Sequence, residues 1–224
     1  MTVQHIFYIP TVFLLGLVFG ALISERRAGK MTGSGWAKVD SVNLVQRAVS
    51  AKALLLALLL FAGIFLVSHL FPIPYGAKVV QSALGNLPLF DKHPSFSSTE
   101  VHDRLQAYSS EGLQVYKRFT YTVDLIFPLT FFYFLYTLSR FVVERISLSN
   151  FLAKAGIALP FIWLGFDLLE NLIVFTLLSD FSNKKDFLAG ILGLVTSTKF
   201  GLLFLSILLP PLLLVFGRKS HRIS

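Results

Sequence analysis

Five apolar runs, each near or above the length of a bilayer-crossing helix, constrain this chain more than any other feature. They cover residues 7–23, 53–71, 119–139, 157–178 and 188–216. A spanning helix needs about 20 mostly apolar residues at a rise of about 1.5 Å each. The last run exceeds that length, so it is expected to tilt, or to bend at Pro210 and Pro211. Composition points the same way, with 54% apolar and 14% charged residues, 23 phenylalanines and a mean hydropathy of +0.70. Soluble domains carry about 25% charged residues. A water-soluble globule, a disordered chain and a disulfide scaffold are thereby excluded. The expected fold is all-α: a polytopic membrane protein forming a single membrane domain over 1–224, a bundle of five transmembrane helices.

Charge sets an expected orientation. The segments 24–52, 140–154 and 217–224 hold twelve bases against three acids, whereas 72–118 and 180–187 hold seven against six. The two groups alternate across all five runs. The excess of Lys and Arg on cytoplasmic segments then puts the amino terminus outside and the carboxyl terminus in the cytoplasm, with a plasma or inner membrane favoured. The formal charge of +8 needs no nucleic acid. Anionic membrane lipids account for it at about 1 kcal/mol per base near the surface, and no nucleic-acid-binding motif accompanies the bases. No Lys or Arg precedes the first run, which therefore reads as an uncleaved anchor rather than a secretory signal. There is no cysteine, hence no disulfide, thiolate metal site or cysteine nucleophile.

The outer loop 72–118 opens on the breakers Pro72, Pro74 and Gly76. Ser97 and Glu100 have capping-box spacing, followed by Val101, Leu105 and Tyr108 at helical intervals. This predicts one short amphipathic helix at the outer interface. A second helix start at Ser109 is expected to run through Tyr116 and Arg118 into the third span. In the first run, Gly16 and Gly20 have the spacing that lets two helix backbones approach closely. They could form a homodimer face, but packing against this chain's own second helix is favoured, because a five-helix bundle offers ample internal surface.

The informative residues are those that lipid should not tolerate. Asp124, Asp167, Glu170 and Lys199 are the charges inside the runs, each costing about 2.5–3.5 kcal/mol at mid-bilayer unless partnered. Counted from the run ends, all four lie in the outer half of the bilayer, roughly 7–17 Å deep. Asp167, Glu170 and Asn171 share one face of the fourth helix, and Thr196 lies three residues before Lys199 on the fifth. On a continuous third helix, Arg118, Tyr121 and Asp124 share an arc. A polar cluster of these eight residues is expected beneath the loop. Counting Arg118 at its rim, it leaves one uncompensated negative charge unless a carboxyl is protonated or a cation binds, and Glu170 is the carboxyl expected to hold a proton.

Metal and cofactor are not expected. The five histidines share no helix face, and no GxSxG, HExxH or phosphate-cradling glycine loop occurs. Three readings of the cluster follow. The first is binding or modification of a lipid-like or small amphiphilic ligand. The second is a structural or assembly factor in which the charges hold helices together. The third is a proton-coupled carrier acting as a dimer. The inner halves of the runs are almost free of polar residues, which favours a pocket with a closed floor over a conducting path.

Overall fold

The computed structural model describes residues 48–147, 149–180, 183–216 and 218–219. The expected first span, with Gly16 and Gly20, lies outside the described residues. Helix α1 is Ala51–Leu70, α2 Ala77–Ala83, α3 Ser98–Ala107, α4 Ser110–Thr120, α5 Val123–Val143, α6 Asn150–Ser179 and α7 Asp186–Phe216. A two-residue antiparallel pairing joins Ile146–Ser147 to Arg218–Lys219. The described fold is thus all but entirely helical. Among the described residues, Ala51–Leu70, Ser110–Val143, Phe151–Ser179 and Asp186–Val215 are long and apolar enough to cross a membrane.

Local chemistry sets the boundaries. Ser50 caps α1 by accepting from the Ala53 amide, and the helix stops at Leu70 just before Pro72, where a residue preceding proline is pushed out of the helical region. Ser97 and Ser109 cap α3 and α4 through the amides of Glu100 and Gly112. Helix α2 has no counterpart in the sequence expectation. It ends in a left-handed pair, Gly85 and Asn86 (φ +66° and +65°), whose amides return to Ser82 and Gln81. That is the Schellman closure, which glycine allows without strain.

The second loop helix does run on into the third span, over Ser110–Val143, but a break at Tyr121 and Thr122 separates α4 from α5. Thr120 and Thr122 donate their hydroxyls to the carbonyls of Lys117 and Arg118 at 2.7 Å, a side-chain bond that competes with the helical ladder. The break resets the helical phase between Arg118 and Asp124.

Two cores result. One is aromatic and joins α1, α5, α6 and α7: Phe61 stacks on Phe131 at 4.2 Å, and Trp163 meets Phe131 edge-on at 5.3 Å. The other gathers α2, α3 and α4 with the segment 84–96 into a cap on one end of α6 and α7, around Phe90, Leu105, Tyr116, Leu177 and Leu192. The 146–147 strand lies between α5 and α6, so its pairing with 218–219 closes the opposite end. Away from these cores the long helices expose large apolar side chains, including Leu56, Leu172, Leu194 and Phe204, each more than 60% accessible, as lipid-facing surface requires.

Arg104 holds the cap segment in shape. Its guanidinium donates to the carbonyls of His93 (2.5 Å) and Pro88 (3.0 Å) and to Ser95 Oγ (2.6 Å), over the Phe90 ring. Ser95, fully buried, then presses its carbonyl onto Gly193 of α7, where any Cβ would collide with it. Gly193→Val should therefore lift the segment 84–96 off α7 and speed its cleavage in limited proteolysis. Gly190→Val, where a Cβ meets open space, should not.

Candidate functional site

The buried charges of α6 and α7 meet one helical turn below the cap. Lys199 donates to a Glu170 oxygen, and Thr196 donates its hydroxyl to the other. Lys199 Nζ also lies 3.4 Å from Asp167 Oδ1. The i, i+3 spacing on each helix makes this possible, because it stacks Asp167 under Glu170 and Thr196 over Lys199. Glu170 and Thr196 are fully buried, and Asp167 and Lys199 nearly so. Both Glu170 oxygens thus hold a donor. Glu170, expected from the sequence to hold a proton, instead has Lys199 set against it.

Asn171 does a separate task. Pro128 has no N–H, so the carbonyl one turn earlier, that of Asp124, loses its helical donor. Asn171 Nδ2 supplies it from α6 at 2.8 Å. The same bond fixes where α5 crosses α6 and brings the half-buried Asp124 within electrostatic range of Asp167, Glu170 and Lys199.

Arg118 and Tyr121 do not enter the cluster. Arg118 is exposed and donates to Tyr75 Oη at 2.7 Å, and Tyr121 is exposed with its ring edge-on to Phe175 at 5.9 Å. The arc that would have aligned them with Asp124 assumed an unbroken helix, and the break at Tyr121 and Thr122 dissolves it. Without Arg118 at the rim, the negative excess is larger than the sequence implied.

The cap adds a residue that sequence reasoning missed. Asp91, in the segment held by Arg104, lies within electrostatic range of Asp124, Asp167 and Lys199. Its Oδ1 is buried without a hydrogen-bond partner, and so is Asp167 Oδ2. In sequence Asp91 is one loop acid beside Lys92, with nothing to mark it. Lys92 in fact turns away to Gln81 at 3.4 Å. Tyr116 donates no charge here but anchors the segment, accepting from the Phe90 amide at 3.1 Å. Tyr108 Oη donates to the Pro88 carbonyl at 2.8 Å, and burial holds its phenol above the ordinary range, so it stays a donor. His69, at the end of α1, is stacked on Phe65 at 4.8 Å and hydrogen-bonded to Ser68 Oγ at 2.7 Å, with Asp91 in electrostatic range.

Chemically the cluster has two halves. Glu170, Lys199 and Thr196 satisfy one another and join α6 to α7. Asp167, Asp124 and Asp91 lie within electrostatic range of one another and of Lys199. Comparison with protein-family models, with curated proteins and with solved structures finds no match.

The Asn171 bond yields a double-mutant prediction. Asn171→Leu should cost about 1–3 kcal/mol by orphaning the part-buried Asp124 carbonyl, read from denaturant unfolding of the purified protein. In a Pro128→Ala background, where the backbone supplies its own donor, the same change should cost clearly less, giving a coupling energy between the two sites.

Proposed function

We propose that this chain is an integral membrane protein that binds a lipid-like or small amphiphilic ligand. Its polar head enters the Asp91, Asp124 and Asp167 region beneath the cap, and its apolar tail lies along the lipid-facing surface. One observation carries the reading: the carboxylate oxygen Asp167 Oδ2 is buried with no donor, beside a Glu170–Lys199 pair that is already complete. A purely structural ion pair gains nothing from a second buried carboxylate left half unsatisfied, because each unmet buried polar group costs about 1–3 kcal/mol and a charged one more. A bound head supplying donors offsets that cost. The surroundings suit an amphiphile. Leu125 and Leu172, each adjacent to a partner of the Asn171–Asp124 bond, are exposed, at 38% and 61%, so apolar surface begins beside the polar region.

In this reading five helices cross the membrane, the amino terminus and the cap face outward, and the basic carboxyl terminus faces the cytoplasm. The charge alternation supports it. So does the packing of the cap against the 173–178 and 189–195 ends of α6 and α7, since two outward segments should lie at one end of the bundle. The α3 helix then lies near the outer interface, with Val101 and Leu105 buried against the cap core.

The Glu170–Lys199–Thr196 contact favours a second role for part of the cluster. A closed, buried pair of this kind holds α6 and α7 in one packing, and removing one partner is strongly destabilising, by about 3–5 kcal/mol. The two roles separate by mutation. Native mass spectrometry with lipid extraction should find a stoichiometric bound molecule in the wild type, lost in a still-folded Asp167→Asn protein. Glu170→Gln should instead lower the unfolding midpoint. A wild-type protein that carries no bound molecule from its native membrane, together with an Asp167→Asn variant that only unfolds, contradicts the ligand reading.

A further inference from the structure

We infer that the cap is anchored in the membrane leaflet on its own side, with the Phe96 ring inserted among the acyl chains and Phe187 as a second, shallower anchor. Neither residue belongs to the proposed ligand site.

Two contacts with α7 set the depth. The Ser95 carbonyl lies on Gly193, and the Phe96 ring reaches the same point, 2.9 Å from where a Cβ of residue 193 would stand. Further along the cap, His102 Nε2 meets Asp186 Oδ1 at 3.1 Å. The chain from Phe96 to His102 therefore follows α7 from Gly193 to Asp186, with α3 packed on its side. At about 1.5 Å per residue, Gly193 lies about 10 Å along the helix from Asp186. Lys184, Lys185 and Asp186 stand together at that end of α7, and the next charge along the helix is Lys199. Charged side chains at the ends of spans sit in the headgroup region, so the level of Phe96 falls on the acyl side of it. Phe187 follows directly on the charged group and stays shallower.

Exposure and rigidity then point to lipid as what covers the ring. Phe96 is 65% accessible and Phe187 76%. Phe96 is not on a loose strand of chain. Ser95 before it accepts from Arg104 at 2.6 Å and is seated on Gly193, and Ser97 after it caps α3 through the Glu100 amide. Held on both sides, the ring is kept out of the protein interior, an arrangement that water disfavours. On α7 at the same level, Leu194 is 64% accessible and Gly190 faces open space. Phe96 thus continues the apolar outer surface of a helix long enough to cross a membrane, which makes acyl chains its partner. A phenyl ring carries no polar handle, unlike the Trp and Tyr side chains that concentrate at headgroup level.

The chain has no cysteine, so a single introduced thiol can report depth. Phe96→Cys, Leu194→Cys and Asp103→Cys are each spin-labelled in the full chain, reconstituted in phosphatidylcholine vesicles, and the collision rates of the label with oxygen and with a water-soluble nickel chelate are measured. The oxygen-to-nickel ratio at residue 96 should match that at Leu194 and exceed that at Asp103, an exposed position on α3. A ratio at residue 96 equal to that at Asp103 places the ring in water and overturns the anchor. A label reached by neither reagent means that protein covers the ring, whether a second copy or the 7–23 run, and overturns it as well. Should Phe96→Cys fail to fold, Phe96→Trp keeps a ring in place. The fluorescence it gains over wild type should be quenched in vesicles of phosphatidylcholine brominated on the upper acyl chain, and an unquenched gain overturns the anchor.

Discussion

Everything else in the described bundle is arranged around the ammonium of Lys199 lying against Glu170. Two charges buried in an apolar bundle persist only when they find each other and their remaining hydrogen-bonding capacity is met. That requirement fixes the rotation of α6 against α7, because Asp167 and Glu170 must face Thr196 and Lys199. Once α6 is set, Asn171 falls opposite the carbonyl that Pro128 leaves without a donor, and α5 is held in turn. The aromatic stack of Phe61, Phe131 and Trp163 then brings in α1. Aromatic packing is adaptable in register, whereas the polar contacts are not.

The cap packs over the ends of α6 and α7 nearest the charged cluster. Its own stability comes from a small apolar core and from one guanidinium gathering three backbone and side-chain oxygens. Its seat on α7 depends on the absence of a side chain at Gly193. The consequence is chemical as well as mechanical, since the segment that Arg104 shapes delivers Asp91 to the acidic side of the cluster.

Much of this was legible in the sequence because lipid is an unforgiving solvent. Apolar runs of spanning length gave the long helices of the described region to within a few residues, except at the start of α6, which begins at Asn150 under a Ser149 cap, well before the apolar run. The i, i+3 spacing of Asp167 with Glu170 and of Thr196 with Lys199 was enough to expect their meeting, since periodicity alone puts each pair on one face. Two things were hidden for physical reasons. Periodicity carries phase only along an unbroken helix, so the back-bonding threonines at 120 and 122 cost the correct placement of Arg118 and Tyr121. Asp91 has no local signature at all. Its proximity to the cluster comes from tertiary contacts made by Arg104, Ser95 and Tyr116, residues that read in sequence as ordinary loop and helix positions.

The most direct test is the density around Asp167 in an electron cryo-microscopy map of the full chain reconstituted with lipids from its own membrane. The account predicts Lys199 on Glu170, and a separate non-protein feature in contact with Asp167 Oδ2, continuing as a tail past Leu125 or Leu172. A map in which protein donors alone satisfy Asp167, with the space toward Asp124 and Asp91 closed by side chains, would contradict it and leave the cluster as a device for packing helices.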